Sequence, residues 1–171
     1  MSNNELMKKV PELPEDQATY SAVRGYIIAA QKQVYSTVNS AMVTAYWNIG
    51  KQIYDACGEN ERAAYGKQLM SFLAEKLTEE FGKGFSVRNL QMMRQFYLSF
   101  PNANALRSEL SWTHYRSLMR VVDEAARNFY LEEAVKSGWS SRQLDRQINS
   151  FYYQRILASR SKDSVAEKLI H

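Results

Sequence analysis

Apolar positions recur at steps of three and four along most of this chain, and glycine, proline and serine punctuate the polar positions between them. Tyr20, Val23, Ile27, Ala30, Val34, Val38, Ala41, Ala45, Ile49 and Ile53 make the stripe of one long amphipathic helix. Its length implies a rod of roughly 50 Å, so a break or kink near Asn39 or Gly50 is expected. Gly58-Glu-Asn-Glu is the first clear loop. Leu69, Phe72, Leu73, Leu77 and Phe81 mark a second helix, closed by Gly82-Lys83-Gly84, where glycine suits a left-handed terminal residue. Ser86 caps a third helix, from Val87 to about Ser99, which Pro101 ends. Residues 102–109 read as a loop. Ser111 caps a fourth helix, from Trp112 to about Val122, and Asp123 starts a fifth that Gly138 stops. Ser140 or Ser141 caps a sixth, running to about Ala158. Alternating strand patterns, internal repeats and coiled-coil heptads are all missing. The expected fold is all-α, a helical domain containing a helix-turn-helix and preceded by a long amphipathic helix.

In domain terms, residues 1–19 read as a loosely ordered leader, 20–158 as one helical domain, and 159–171 as a tail or truncated linker. The chain has 171 residues, 45% of them hydrophobic and 23% charged, the balance of an ordinary globular protein. No apolar run approaches the length of a membrane span, and the polar N-terminus lacks a signal-peptide core. One cysteine, Cys57, excludes an internal disulfide and a thiolate metal cluster, which points to a reducing, bacterial-type cytoplasm.

Charge changes the picture more. Lys and Arg number 22 against 18 acids, a net of +4, but the excess is uneven. Between Gly82 and Arg120 stand Lys83, Arg88, Arg94, Arg107, Arg116 and Arg120 against Glu109 alone. Basic stretches of this density are the footprint of a phosphate-bearing partner. Residues 66–97 have the shape of a helix-turn-helix, whose second helix enters the major groove of DNA. On that helix Leu90, Met93 and Tyr97 share one face, and Arg88, Gln91, Met92 and Gln95 the other. Arg pairs with guanine and Gln with adenine, so the second face suits base reading. Arg94 falls nearer the Leu90 face and reaches a phosphate at best by its long stem.

Residues 110–158 form a helical platform. Leu110-Ser111-Trp112-Thr113-His114, then Tyr115-Arg116-Ser117-Leu118, then Gly138-Trp139-Ser140-Ser141-Arg142 follow the third helix. In order and in local strings, residues 84–148 resemble the helical DNA-binding domain of ParB-type partition proteins, with Tyr115 where that pattern has alanine. A second resemblance covers most of 20–155. Tyr46-Trp47-Asn48-Ile49-Gly50-Lys51, Tyr65-Gly66-Lys67, Gly84-Phe85-Ser86-Val87-Arg88-Asn89-Leu90, Met93-Arg94-Gln95-Phe96-Tyr97 and the strings around Trp112 and Trp139 resemble the N-terminal helical, winged-helix-like domain of the YhcG-like nuclease family. That resemblance implies a DNA-binding domain joined to a C-terminal nuclease domain of the PD-(D/E)xK class.

Such a nuclease needs Glu-x-Lys or Asp-x-Lys after an Asp, so that carboxylates hold Mg²⁺ while the lysine assists the attacking water. No lysine here has an acid two residues before it. The chain alone is therefore expected not to be an enzyme, and neither cofactor nor metal is expected. His114 has no nucleophile or carboxylate beside it and no second ligand at metal spacing, so it reads as a packed or phosphate-contacting residue. Trp47, Trp112 and Trp139 read as core anchors. The expected partner is DNA, contacted at phosphates by Lys83, Arg94, Arg116, Arg120, Arg142, Arg146 and His114, and at bases by Arg88, Gln91 and Gln95. A nuclease domain or subunit is a second expected partner. The competing reading is a protein-interaction module that dimerises through the Tyr20–Ile53 helix.

Overall fold

The computed structural model describes residues 14–57 and 63–159, and every regular element among them is helical. The fold is all-α. The chain divides into two compact units, Met1–Thr37 and Val38–His171. Helix α1 spans Pro14–Cys57, α2 Ala63–Phe81, α3 Val87–Ser99, α4 Trp112–Leu118, α5 Glu124–Lys136 and α6 Ser141–Asn149. Short 3₁₀ turns occupy Lys83–Phe85 and Ala103–Ala105, and residues 152–159 are helical again. The Gly58 loop, most of the expected leader and most of the expected tail lie outside the described residues. Helix α1 starts at Pro14, within the segment read as a leader.

No break interrupts α1 at Asn39 or Gly50. The face it buries also differs from the stripe counted along the sequence. In the first unit Tyr20, Val23, Ile27 and Val34 are exposed. In the second unit the inward positions are Val43, Trp47, Gly50, Ile53 and Cys57, while Val38 and Ala41 face solvent. Counting every Ala and Val as inward placed the stripe roughly a third of a turn away from the tryptophan and glycine that make contact.

Gly50 explains that choice of face. A Cβ on it would collide with the backbone of α3, lying 2.6 Å from the Met93 carbonyl carbon and 3.2 Å from the Arg94 nitrogen. Glycine thus lets two helix backbones touch where any side chain would hold them apart. Around this contact the Trp47 indole donates to the Phe100 carbonyl at 2.7 Å, and Trp47 and Tyr54 both pack against the Tyr97 ring.

Helix α3 joins two apolar cores. Leu90 and Met93 pack with Ile53, Cys57 and Met70. Phe96 and Phe100 pack with Val43, Trp47, Tyr115, Leu118, Tyr130 and Leu144. In the larger core the Tyr115 hydroxyl accepts the Arg107 backbone N–H at 2.7 Å. Burial pushes the phenol of Tyr115 above its ordinary 10.0, against the opposing pull of that bond.

Two helices end earlier than the periodicity predicts. Helix α4 stops at Leu118, and the following turn is held by the Arg127 guanidinium donating to the Val121 carbonyl at 3.0 Å. Helix α6 stops at Asn149, and Phe151 takes a left-handed φ of 53° before helix resumes at 152. The Tyr130 hydroxyl secures this corner, donating to the Gln147 carbonyl and accepting the Tyr153 N–H at 3.1 Å. Both stops arise from tertiary hydrogen bonds that helical periodicity does not encode.

Replacing Gly50 with alanine removes a helix-weakening residue, worth up to about 1 kcal/mol, but forces α1 and α3 apart. Overpacking of this kind costs about 1–3 kcal/mol, occasionally more. Gly50→Ala is expected to lower stability in denaturant unfolding by about 1–3 kcal/mol net. A variant as stable as the parent would show that the two helices separate freely.

Candidate nucleic-acid interface

Gly82 ends α2 with a φ of 88°, and its N–H donates to the Thr78 carbonyl at 3.0 Å. A side chain there would be strained, which is why glycine marks the turn. The chain passes through Lys83–Phe85 and re-enters helix after Ser86, whose Oγ accepts the Asn89 N–H at 3.3 Å. Asn89 also reaches back, its side-chain amide donating to the Gly84 carbonyl at 2.9 Å. Phe85 lies against Phe81. Cap, amide and ring contact together fix the angle at which α3 leaves the turn.

Helix α3 buries Leu90, Met93 and Phe96. Arg88, Gln91 and Gln95 are all exposed on the opposite side, as the wheel requires, and Met92 is half-buried. The Gln95 amide donates to Ser99 Oγ at 3.3 Å, which leaves its carbonyl oxygen open. Lys83 is exposed in the turn just before the helix. Arg94 is half-buried with its guanidinium 5.8 Å above the Tyr54 ring, so its stem lies along α1 as a boundary residue.

A second group of cations forms where α4 packs on α6. Ser117 Oγ donates to Asp145 at 3.0 Å, and the Arg120 guanidinium pairs with the same carboxylate. Arg142, Asp145, Arg146, Asn149 and Ser150 line an open depression of about 520 Å³. Arg116 is exposed one turn before Arg120. One carboxylate therefore stands among three arginines, and the depression keeps a positive balance. Among the described residues Lys83, Arg88, Arg116, Arg142 and Arg146 have no ion-pair partner, whereas Arg107 is paired with Glu132 at 2.7 Å.

His114 does structural work here. The Ser111 N–H donates to Nδ1 at 3.1 Å, so Nδ1 is the acceptor nitrogen and Nε2 carries the proton. Nε2 lies 2.9 Å from the Trp139 carbonyl and donates to it. One ring thus closes the capping box of α4 and ties it to the segment that enters α6. Both nitrogens are used within the protein. Ser140 and Gln143 then cap α6 reciprocally. Sequence reading missed Asn89, Ser117 and Asp145. Asn89 left a signal, three residues after the capping serine. The Ser117–Asp145 bond spans 28 residues and left none.

No described group of three or more His, Cys, Asp or Glu residues is placed to hold a metal ion. No described helix is long and apolar enough to cross a membrane.

The family model described as the DUF1016 N-terminal domain matches residues 22–155. The protein named "Putative nuclease YhcG" of Escherichia coli (strain K12) is 30% identical over 185 aligned residues, covering 89% of this chain and 49% of that protein. The chain therefore spans about half the length of this curated relative. No solved structure matches it.

His114→Ala removes both ends of the clamp. Leaving one fully buried group without its partner costs about 1–3 kcal/mol, and since both of these bonds are only partly buried the combined loss in thermal or chemical unfolding is expected in that range. Unchanged stability would show that neither ring nitrogen carries load.

Proposed function

Because the chain belongs to the family of the DUF1016 N-terminal domain, we propose that it is a DNA-binding module that serves a YhcG-like nuclease. The observation that carries this reading is the outer face of α3. There Arg88, Gln91 and Gln95 stand exposed on a serine-capped helix that follows a glycine turn. Its buried side is committed to both cores, so the exposed side is free for a ligand. Long polar side chains able to make bidentate contacts are the type that reads purine edges in a major groove.

In this reading α3 lies in the groove, with Lys83 at an adjacent phosphate and Arg94 at the margin. Arg116, Arg120, Arg142 and Arg146 neutralise phosphates from the α4–α6 platform. His114 acts at one remove, holding α4 to the start of α6 so that these arginines keep their positions. The nuclease named in the relative would be the domain or subunit that this module delivers to DNA.

Duplex binding is expected to weaken with salt, with log affinity falling linearly in log salt at a slope of roughly −4 to −6 for about four to seven phosphate contacts. Arg88→Ala is expected to weaken binding by about 1–3 kcal/mol and relax preference at one base position. Lys83→Ala is expected to weaken binding to all sequences alike and to reduce the slope by about one. Fluorescence anisotropy on labelled duplexes measures each. Affinity that is absent at about 50 mM salt, or flat to several hundred millimolar, contradicts the reading.

The chain alone is expected to leave plasmid DNA intact with Mg²⁺ or Mn²⁺, since no lysine follows an acid at the spacing the chemistry uses. Cleavage that co-purifies with the protein as one peak would overturn that expectation.

A further inference from the structure

Among the described residues, glycines aside, Phe151 alone has a positive φ, 53°, and its side chain is 64% exposed. Glycine and asparagine sit easily in that left-handed region, whereas a bulky side chain there is strained. Water also meets most of the ring, so phenylalanine suits neither the backbone nor the surface at this corner. The ring belongs to neither apolar core and makes no ring contact among the described residues. Its neighbours do the packing. Tyr152 lies against Phe129 and Trp139, and Tyr153 against Phe129 and Tyr130.

The strained corner is held from both sides. Before it, the Phe151 N–H donates to the Ile148 carbonyl at 3.1 Å and the Ser150 N–H to the Arg146 carbonyl at 3.0 Å. After it, the Arg155 N–H donates to the Phe151 carbonyl at 3.0 Å, and the Tyr130 hydroxyl accepts the Tyr153 N–H. Strain that the surrounding structure enforces in this way points to a functional position. The surroundings show what kind. Ser150, whose Cα is about 3.8 Å from that of Phe151, lines the open depression with Arg142, Asp145, Arg146 and Asn149. Arg155 donates to Ser150 Oγ at 3.3 Å and brings a third guanidinium to the same edge. The single carboxylate, Asp145, is already engaged by Arg120 and Ser117. An apolar partner seated on Phe151 would meet these arginines at its flank. A chain that alternates anionic groups with flat rings meets both features with what each one binds.

We propose that Phe151 is a stacking platform for one unpaired base, whose flanking phosphates lie in the depression of Arg142 and Arg146. The inference rests on the DNA-binding reading above and adds a substrate class to it, duplex DNA that carries an unpaired nucleotide. An aromatic ring beside a basic groove is the pairing that holds unstacked bases, the groove taking the backbone and the ring a base. A fully matched duplex keeps its bases stacked inside and offers the ring only its backbone. A base that is already unpaired turns outward at little cost. Because every base has a flat face, this contact tolerates any sequence. Phe151 therefore selects the structure of the DNA and leaves its sequence to α3.

The test compares two labelled duplexes by fluorescence anisotropy with the full chain, one fully matched and one identical except for a single unpaired adenine. The parent is expected to bind the second more tightly by roughly 5- to 150-fold, the worth of one base stacked on an aromatic ring. Asparagine accepts a left-handed φ, so Phe151→Asn is expected to keep the fold, which its unfolding midpoint checks. That variant is expected to bind both duplexes alike, at the parent's affinity for the matched one and with the same salt slope, because no phosphate contact is lost. Phe151→Tyr, which keeps the ring, is expected to keep the preference. Equal binding of the two duplexes by the parent overturns this inference and leaves the DNA-binding reading standing. A Phe151→Asn variant that keeps the preference, or that weakens on both duplexes equally, overturns it too, and the ring then serves another partner. Binding of neither duplex at about 50 mM salt overturns the DNA-binding reading and this inference together.

Discussion

The contact of α1 with α3 at Gly50 sets the rest of the second unit. Two helices normally cross with their axes 8–10 Å apart, separated by side chains. Here the missing Cβ lets Gly50 sit against the Met93 carbonyl, and that closeness draws Trp47 under Phe100 and Tyr54 against Tyr97. Helix α3 is thereby held on one side by α1 and, through Phe96, against Trp112 and Tyr115 of α4. Its inner face is committed to both cores, which leaves Arg88, Gln91 and Gln95 exposed in a fixed orientation on the other side.

Polar ties add to this packing. Gly82, Ser86 and Asn89 fix where α3 begins. Farther along, the His114 ring joins α4 to the approach of α6, and Asp145 joins Ser117 and Arg120 to α6 itself. The Asp145 carboxylate stands inside a cluster of arginines. Its effect is to pin one arginine while, among the described residues, Arg142 and Arg146 stay unpaired beside it.

The sequence carried the helices well and their packing less well. The starts of α3, α5 and α6 were readable because Ser86, Asp123 and Ser140 each satisfy backbone donors locally. The exposed trio Arg88, Gln91 and Gln95 was equally readable, because one period decides both faces of a helix. The inward face of α1 was not. It depends on a glycine whose partner lies 43 residues away, and a periodic count treats glycine as neutral. The end of α6 was hidden for the same reason, since it rests on the Tyr130 hydroxyl rather than on a breaker residue. His114 was legible as a residue that matters near a helix start, but its second bond, to the Trp139 carbonyl, needs the fold.

If α3 is the DNA-reading element, backbone amide shifts of the isotope-labelled protein should report it residue by residue as duplex DNA is added. The largest changes are expected at Lys83, Arg88, Gln91 and Gln95, with a second group around Arg116, Arg142 and Arg146 and almost none at buried Leu90 or Met93. Changes confined to Tyr20–Val34, with the outer face of α3 silent, would contradict this assignment and move the DNA surface to the first unit.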